Sequence, residues 1–222
     1  IVWIVARPEG GAGPANAAQL VSPDGGVAGF YAKRELVPFG EFVPLRRWVP
    51  RIVIDRWLAI LDQLGDLEAG KREQALIVTP WGRTAVTICY EAVFPRWSRR
   101  DAARGARLLV NLTNDGWYKD TWAPRQHLGV NVLRAVENRI PVIRAGNTGV
   151  SVVIDPWGVT TALLDLNHRG RLDAEVPLSD PFPRRSFYTR HGDWFGLGAL
   201  ALVFLAALLR VRQGVKVSGQ KL

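Results

Sequence analysis

Short runs of β-branched and apolar residues alternate with amphipathic segments from residue 1 to residue 190, and this alternation constrains the fold more than any other feature. Hydrophobic periodicity predicts strands at residues 1–6, 74–80, 84–90 and 107–115, and helices at residues 95–106 and 125–139. The stretch 107–115 is nearly continuously apolar before its polar end, which is typical of a strand buried on both faces. Strands that alternate with helices predict a layered α/β fold.

The remaining segments fit the same architecture. Residues 17–33 predict a hairpin around a turn that contains Pro, Asp and Gly, and residues 51–64 have the apolar period of a helix. The helix at 125–139 places four apolar side chains on one face, namely Leu128, Val132, Ala135 and Val136. No linker or internal repeat interrupts the chain before residue 185, so we predict a single domain over residues 1–190.

Composition and charge exclude several classes of protein. The chain has 48% apolar and 22% charged residues, which is typical of a packed globular domain rather than a disordered segment. Its single Cys excludes internal disulfides and multi-Cys metal sites, and we expect no metal or cofactor. Four of the nine excess positive charges lie in residues 210–222, and no nucleic-acid-binding motif accompanies the others, so we expect no nucleic-acid partner.

The C-terminal part of the chain contains a long apolar stretch. Trp194 to Leu209 has sixteen residues without a charge, bounded by Asp193 and Arg210. Aromatic residues at its start and arginines at its end are typical of the two interfaces of a membrane helix. We therefore predict a transmembrane helix at 191–212 and a basic cytoplasmic tail at 213–222, which places the preceding domain on the outer face. The alternative is a helix buried in a soluble domain.

Cys89 is the candidate nucleophile because of its place in the chain. It lies at the C-terminal end of the strand predicted at 84–90 and precedes a helix that begins at Pro95. Active-site groups in α/β folds collect at the carboxyl ends of strands, although a free Cys is also often a buried structural residue. The segment Asn114, Asp115 and Trp117 follows the next strand, and its residues can serve either a turn or a pocket wall.

Several motifs together resemble the apolipoprotein N-acyltransferases, the membrane-bound branch of the nitrilase or carbon–nitrogen hydrolase superfamily. The motifs are YAKRELVPFGEFVP at 31–44, ICYE at 88–91, NLTNDGWY at 111–118, a Trp-Ala-Pro-Arg-Gln-His run at 122–127, RAVENRIPVIRAGNTGVSVVIDPWG at 134–158, and the closing apolar segment. They extend through nearly the whole chain.

The resemblance implies a fold and a set of site residues. The fold would be a nitrilase-like, partial four-layer α-β-β-α sandwich followed by one C-terminal transmembrane helix. Cys89 would be the nucleophile and Lys33 the lysine of a Glu–Lys–Cys triad. Glu41 and Glu91 would be supporting acids, and the backbone amide of Tyr90 would contribute to an oxyanion hole.

The triad glutamate has no counterpart at the expected spacing. The family places it some seventy residues before the lysine, whereas only 32 residues precede Lys33 here. Glu9 is too close to Lys33 and is expected in a surface loop. Because the sequence begins at Ile1 and contains no Met, we expect an upstream part that holds this glutamate and further membrane helices.

The function implied by the resemblance is phospholipid-dependent N-acylation of apolipoproteins through a cysteine thioester. The acyl donor would be a membrane phospholipid, and the acceptor would be the diacylglyceryl-cysteine that begins an apolipoprotein. The expected location is the bacterial inner membrane, multi-pass in the full-length protein, with the catalytic domain on the periplasmic face.

Two other functions remain open at this point. The chain can instead be a soluble-type nitrilase or amidase that hydrolyses small C–N bonds, or a binding module with an inactive site. The three histidines, His127, His168 and His191, lack the spacing of metal ligands and are expected to be structural or exposed.

Overall fold

A computed structural model describes residues 1–6, 11, 13–45, 48, 67–119, 121–178 and 185–218. The strands are β1 (Val2–Ala6), β2 (Ala15–Val21), β3 (Val27–Ala32), β4 (Ile77–Thr79), β5 (Gly82–Ile88), β6 (Leu108–Asn114), β7 (Val142–Asn147), β8 (Ser151–Ile154) and β9 (Thr160–Leu164). The α-helices are α1 (Pro95–Ala103), α2 (Ala123–Asn138), α3 (Phe187–His191) and α4 (Trp194–Ser218).

The larger sheet has six strands in the order β4-β5-β6-β7-β8-β9. Its centre is parallel, because β5 pairs with β6 and β6 pairs with β7 in the same direction through the crossover helices α1 and α2. The outer pairs are antiparallel. Nearly every residue of β6 is buried, as the unbroken apolar run predicted. The parallel centre confirms the expected α/β fold and directs the carboxyl ends of β5, β6 and β7 to one edge.

The smaller sheet has three antiparallel strands in the order β1-β2-β3. The predicted strand at 1–6 and the predicted hairpin at 17–33 are confirmed. The inner face of this sheet contributes Ala18 and Tyr31 to a buried cluster. The larger sheet contributes the apolar side chains that pack with them, namely Ile77, Val86, Ile88, Leu108, Val110 and Leu112. The two sheets therefore pack face to face as the central layers of a sandwich.

Helices α1 and α2 cover the other face of the six-stranded sheet. Ala102 and Ala135 pack there in a second buried cluster that includes Leu109 and Val142, and Leu128 and Val132 pack against it. The described residues thus form three of the four expected layers. The helix predicted at 51–64 lies outside the described residues, as does Glu9.

The C-terminal segment is helical from Trp194 to Ser218, so the helix continues past the predicted end at residue 212. Every described side chain from Trp194 to Arg210 is exposed, which contradicts the alternative of a helix buried in the domain. Within the described part of the chain, however, no helix meets both the length and the apolarity of a candidate membrane span. The predicted transmembrane helix at 191–212 is therefore not confirmed.

Leu109 tests the packing of the central strand. Leu109→Ala leaves a cavity at a fully buried position between the sheet and its helices, and we expect a loss of about 2–5 kcal/mol in the free energy of unfolding. Leu133→Ala, on the exposed side of α2, is the matched control and should change that free energy by less than about 0.5 kcal/mol. Urea unfolding monitored by circular dichroism measures both. Equal losses would contradict the packing described.

Candidate active site around Cys89

Cys89 lies in a sharp turn at the carboxyl end of β5. Its backbone has a φ of 50°, in the left-handed region that non-glycine residues seldom occupy. Cys89 begins a short 3₁₀ helix, Cys89–Val93, and α1 then begins at Pro95. The thiol residue is half-buried. The predicted position at a strand end before a helix is confirmed, with Cys89 directly after the last residue of β5.

The Glu91 carboxylate is fully buried and accepts four hydrogen bonds. Its Oε2 accepts from the backbone N–H of Ile88 at 2.7 Å, an arrangement like half of a capping box. Its Oε1 accepts from the Tyr31 hydroxyl at 2.8 Å and from the backbone N–H groups of Arg34 at 2.5 Å and Glu35 at 3.2 Å. One carboxylate therefore joins the end of β5 to the segment that follows β3.

This arrangement brings the segments of Lys33 and Cys89 together. Each of the two residues is the direct chain neighbour of a residue whose N–H donates to Glu91. Burial raises the pKa of Glu91 above its ordinary value, and the bonds from Ile88, Tyr31 and Arg34 act in the opposite direction. A buried carboxyl group needs such donors, because an unpartnered charge in the interior is costly.

Lys33 is buried and its ammonium group is held by Glu41. The Nζ atom lies 2.8 Å from both carboxylate oxygens of Glu41, and only 1% of Lys33 is exposed. Glu41 also accepts from the Val37 backbone N–H at 2.8 Å and from the Asn16 side chain. The ion pair fixes the position of the Lys33 ammonium group. Glu41 is itself fixed by the hydrogen bonds from Val37 and Asn16.

Two further contacts fix the backbone around Lys33. The Arg34 guanidinium forms a buried ion pair with Asp101 of α1, at 2.9 Å and 3.3 Å, and stacks on the ring of Trp97 at 5.0 Å. Gly70 donates its N–H to the Lys33 carbonyl at 2.7 Å. A Cβ atom at Gly70 would lie 2.3 Å from the Ala32 carbonyl oxygen, so the two backbones can approach this closely only at a glycine.

A second buried network lies on the other side of Cys89. The imidazole of His127 contacts the Cys89 carbonyl oxygen through Nε2 at 3.1 Å and the Asp115 carboxylate through Nδ1 at 3.0 Å. Arg144 pairs with the other oxygen of Asp115, and its Nη1 donates to Asn111 at 2.9 Å. Burial acts to raise the pKa of Asp115, but the bond with His127 and the charge of Arg144 together lower it.

The sequence did not identify His127 or Arg144 as site residues. All three histidines were expected to be structural or exposed, and His168 and His191 are exposed. The signal that could have found this network is a polar residue inside an apolar run of the sequence. Asn111 in β6 and Arg144 in β7 are two such residues, and both are buried. Such residues need partners, and these partners meet beside Cys89.

Asn114, Asp115 and Trp117, which follow β6 and were expected in a turn or a pocket wall, have different surroundings. Asn114 accepts the Gly116 N–H at 3.1 Å and shapes the turn. Asp115 is buried in the second network, whereas Trp117 is 79% exposed. Tyr90, the residue whose amide follows Cys89, places its ring edge-on against Phe94 at 5.0 Å.

Among the described residues, no cluster of three or more His, Cys, Asp or Glu side chains is arranged to hold a metal ion. The groups around Cys89 are instead paired with one another or with the backbone.

The sequence model of the carbon–nitrogen hydrolase family matches residues 2–181. The chain belongs to the carbon–nitrogen hydrolase family. It is 40% identical over 198 residues to a Geobacter metallireducens protein named apolipoprotein N-acyltransferase, and 39% identical over 202 residues to a Bradyrhizobium diazoefficiens protein of the same name. These alignments cover 89% and 90% of this chain but only 36% and 35% of the relatives. The chain thus spans about a third of their length.

Solved structures support the carbon–nitrogen hydrolase fold. The carbon–nitrogen hydrolase of Helicobacter pylori G27 matches with a TM-score of 0.58 and 17% identity, over 79% of this chain and 60% of that one. A mutant of the amidase from Nesterenkonia sp. AN1, in which acrylamide has added to the active site cysteine, matches with a TM-score of 0.50 and 26% identity, over 74% of this chain and 57% of that one. The nitrilase-like α/β fold expected from the sequence is confirmed.

Glu91→Gln tests whether a carboxylate is needed between the two segments. All four partners donate to Glu91, so the glutamine NH₂ must face at least one buried donor. We expect a loss of about 1–3 kcal/mol in the free energy of unfolding. Glu73→Gln, which alters an exposed pair with Arg100, should cost less than about 0.5 kcal/mol. Urea unfolding of both variants measures this, and a neutral Glu91→Gln would refute the role given to the carboxylate.

Proposed function

We propose that the chain carries the nucleophile of a phospholipid-dependent apolipoprotein N-acyltransferase. The observation that carries this proposal is the buried Glu91 carboxylate, which joins the Cys89 turn to the segment of the paired Lys33 ammonium. Identity near 40% to proteins of that name supports the substrate class. The acyl donor is a membrane phospholipid, and the acceptor is the α-amino group of the diacylglyceryl-cysteine of an apolipoprotein.

The first half-reaction forms a thioester. The Cys89 sulfur, as thiolate, attacks the ester carbonyl carbon of the phospholipid and forms a C–S bond while the carbonyl oxygen becomes an oxyanion. The Lys33 ammonium and the Tyr90 amide stabilise this charge, and each such donor contributes on the order of 3 kcal/mol in comparable sites. Collapse of the intermediate breaks the ester C–O bond, and the leaving alkoxide takes up the proton that the thiol gave to a general base.

The second half-reaction transfers the acyl group. The acceptor amine attacks the thioester carbonyl and forms a C–N bond. The C–S bond then breaks, and the proton that the amine loses passes to the departing Cys89 thiolate. Glu41 holds the Lys33 ammonium through both steps. The triad glutamate of the resemblance has no counterpart at the expected spacing before Lys33, so we assign the general base to no residue of this chain.

We propose that the exposed helix α4 contacts the lipid bilayer in which both substrates reside. Its side chains from Trp194 to Leu209 are uncharged and exposed on all faces, which is unfavourable in water. Trp194 and Phe195 suit the interface, and the cationic residues from Arg210 onward suit a cytoplasmic end. The catalytic domain then lies on the periplasmic face of a multi-pass inner-membrane protein.

Substitution of Cys89 and Lys33 tests the proposed activity. In the intact protein, Cys89→Ser should lower acyl transfer to a diacylglyceryl-cysteine lipopeptide by at least about 1,000-fold, because the nucleophile is lost. Lys33→Ala should lower it by about 100- to 1,000-fold, because the oxyanion loses a cation. Lys71→Ala, at an exposed lysine, is the matched control and should leave the rate unchanged. The assay follows transfer of a labelled acyl chain from phospholipid.

The same assay separates the alternative functions. Undiminished transfer by Cys89→Ser would overturn the proposal. Hydrolysis of small amides by the wild-type protein without lipid, together with no transfer to the lipopeptide, would favour a soluble-type nitrilase or amidase.

Charged residues in α4 test the proposed membrane contact. The 222-residue chain should float with vesicles of phosphatidylethanolamine and phosphatidylglycerol in a density gradient. Leu200→Asp with Phe204→Asp should abolish flotation, because each buried charge costs about 2.5–3.5 kcal/mol in a bilayer. Val159→Asp, at an exposed apolar residue between β8 and β9, is the control and should float. Flotation of the double variant would contradict the lipid contact.

A further inference from the structure

His127 contacts the backbone of the nucleophile and not its thiol. Its Nε2 lies 3.1 Å from the Cys89 carbonyl oxygen, and its Nδ1 lies 3.0 Å from Asp115 Oδ1. A carbonyl oxygen only accepts hydrogen bonds, so Nε2 carries a proton. Nδ1 faces the Asp115 carboxylate, and Arg144 Nη2 lies farther from it, at 3.4 Å.

The bond to the Cys89 carbonyl also fixes the amide of the next residue. The peptide between Cys89 and Tyr90 is trans and planar, so its C=O and N–H groups point in opposite directions. When His127 holds the carbonyl oxygen, it sets the direction of the Tyr90 N–H. Cys89 also needs such a restraint because a non-glycine residue seldom adopts a left-handed φ. That conformation persists only where surrounding contacts hold it.

We propose that His127 is a positioning residue that orients the Cys89–Tyr90 peptide, so that the Tyr90 amide points at the oxyanion formed during acylation. This inference rests on the proposed thioester chemistry and adds to it a residue that acts through the backbone. The groups that face the imidazole are Asp115, Arg144, the Tyr118 ring with its centroid 6.1 Å away, and the Cys89 carbonyl.

The surroundings of His127 leave the imidazole little freedom to move. Asp115 is held by Arg144 and by the Thr113 hydroxyl at 3.1 Å. A Cβ atom at Gly149 would lie 2.3 Å from Asp115 Oδ2, so the backbone closes against the carboxylate. A donor held this rigidly costs no reorganisation when charge develops in the transition state.

Two substitutions separate the bonds that His127 makes. In His127→Gln the side-chain amide nitrogen can reach the position of Nε2 and donate to the Cys89 carbonyl. In His127→Asn the shorter amide can replace Nδ1 toward Asp115 but cannot reach that carbonyl. Both variants remove the ring, so they form a matched pair. Their thermal unfolding midpoints establish that both proteins are folded.

Two rates at Cys89 provide the readout in the intact protein. One is thioester formation in a single turnover with phospholipid in mixed micelles, followed by mass spectrometry. The other is alkylation by iodoacetamide, a displacement at a saturated carbon that forms no oxyanion. We expect His127→Asn to slow thioester formation about 100-fold while its alkylation rate stays within about 3-fold of wild type. For His127→Gln we expect both rates to stay within about 10-fold of wild type.

Three results would overturn the inference. Thioester formation by His127→Asn at the wild-type rate would show that the carbonyl bond does not orient the amide. A parallel fall of both rates in both variants would show a merely structural role. Absence of a thioester in the wild-type protein would overturn the proposed function itself, and this inference with it.

Discussion

The four hydrogen bonds to the Glu91 carboxylate are the interaction on which the candidate site depends. A carboxyl group with no exposed surface is tolerated only when donors surround it. Here the donors come from the end of β5, from Tyr31 in β3 and from the chain just after β3. These segments are more than fifty residues apart in sequence and belong to different sheets. When the two sheets pack together, the Glu91 carboxylate gains its hydrogen bonds and the Lys33 and Cys89 segments become neighbours.

Cys89 is restrained from both sides of its strained backbone. Glu91 holds the N–H of the residue before it, and His127 holds its own carbonyl oxygen. Both of these side chains are fixed by further contacts. Glu91 is bound by Tyr31 and by the segment of Arg34, which pairs with Asp101, and His127 is bound by Asp115. A left-handed cysteine persists only where the surroundings determine its conformation, and such positions are concentrated at functional sites.

The layered fold and the place of the nucleophile were predictable from the sequence, because both depend on local patterns. Strand β6, the helix that begins at Pro95 and the place of Cys89 at a strand end before that helix followed from apolar periodicity and proline position. Strand β9 was missed, because its exposed outer residues lack the apolar character of a buried strand. The motif resemblance implied a site role for Glu91 but did not indicate its hydrogen-bond partners. Those partners, and the role of His127, depend on contacts between distant segments that no local pattern contains.

Amide hydrogen exchange in the Glu91→Ala variant tests most directly whether a single carboxylate joins the two segments. The N–H groups of Ile88 and Arg34 should be protected in the wild-type protein, and both should exchange faster in the variant. The N–H of Leu109, which donates to Pro141, should keep its protection. Unchanged protection at Arg34 when Ile88 loses its own would contradict the bridge, because the two segments would then be held independently.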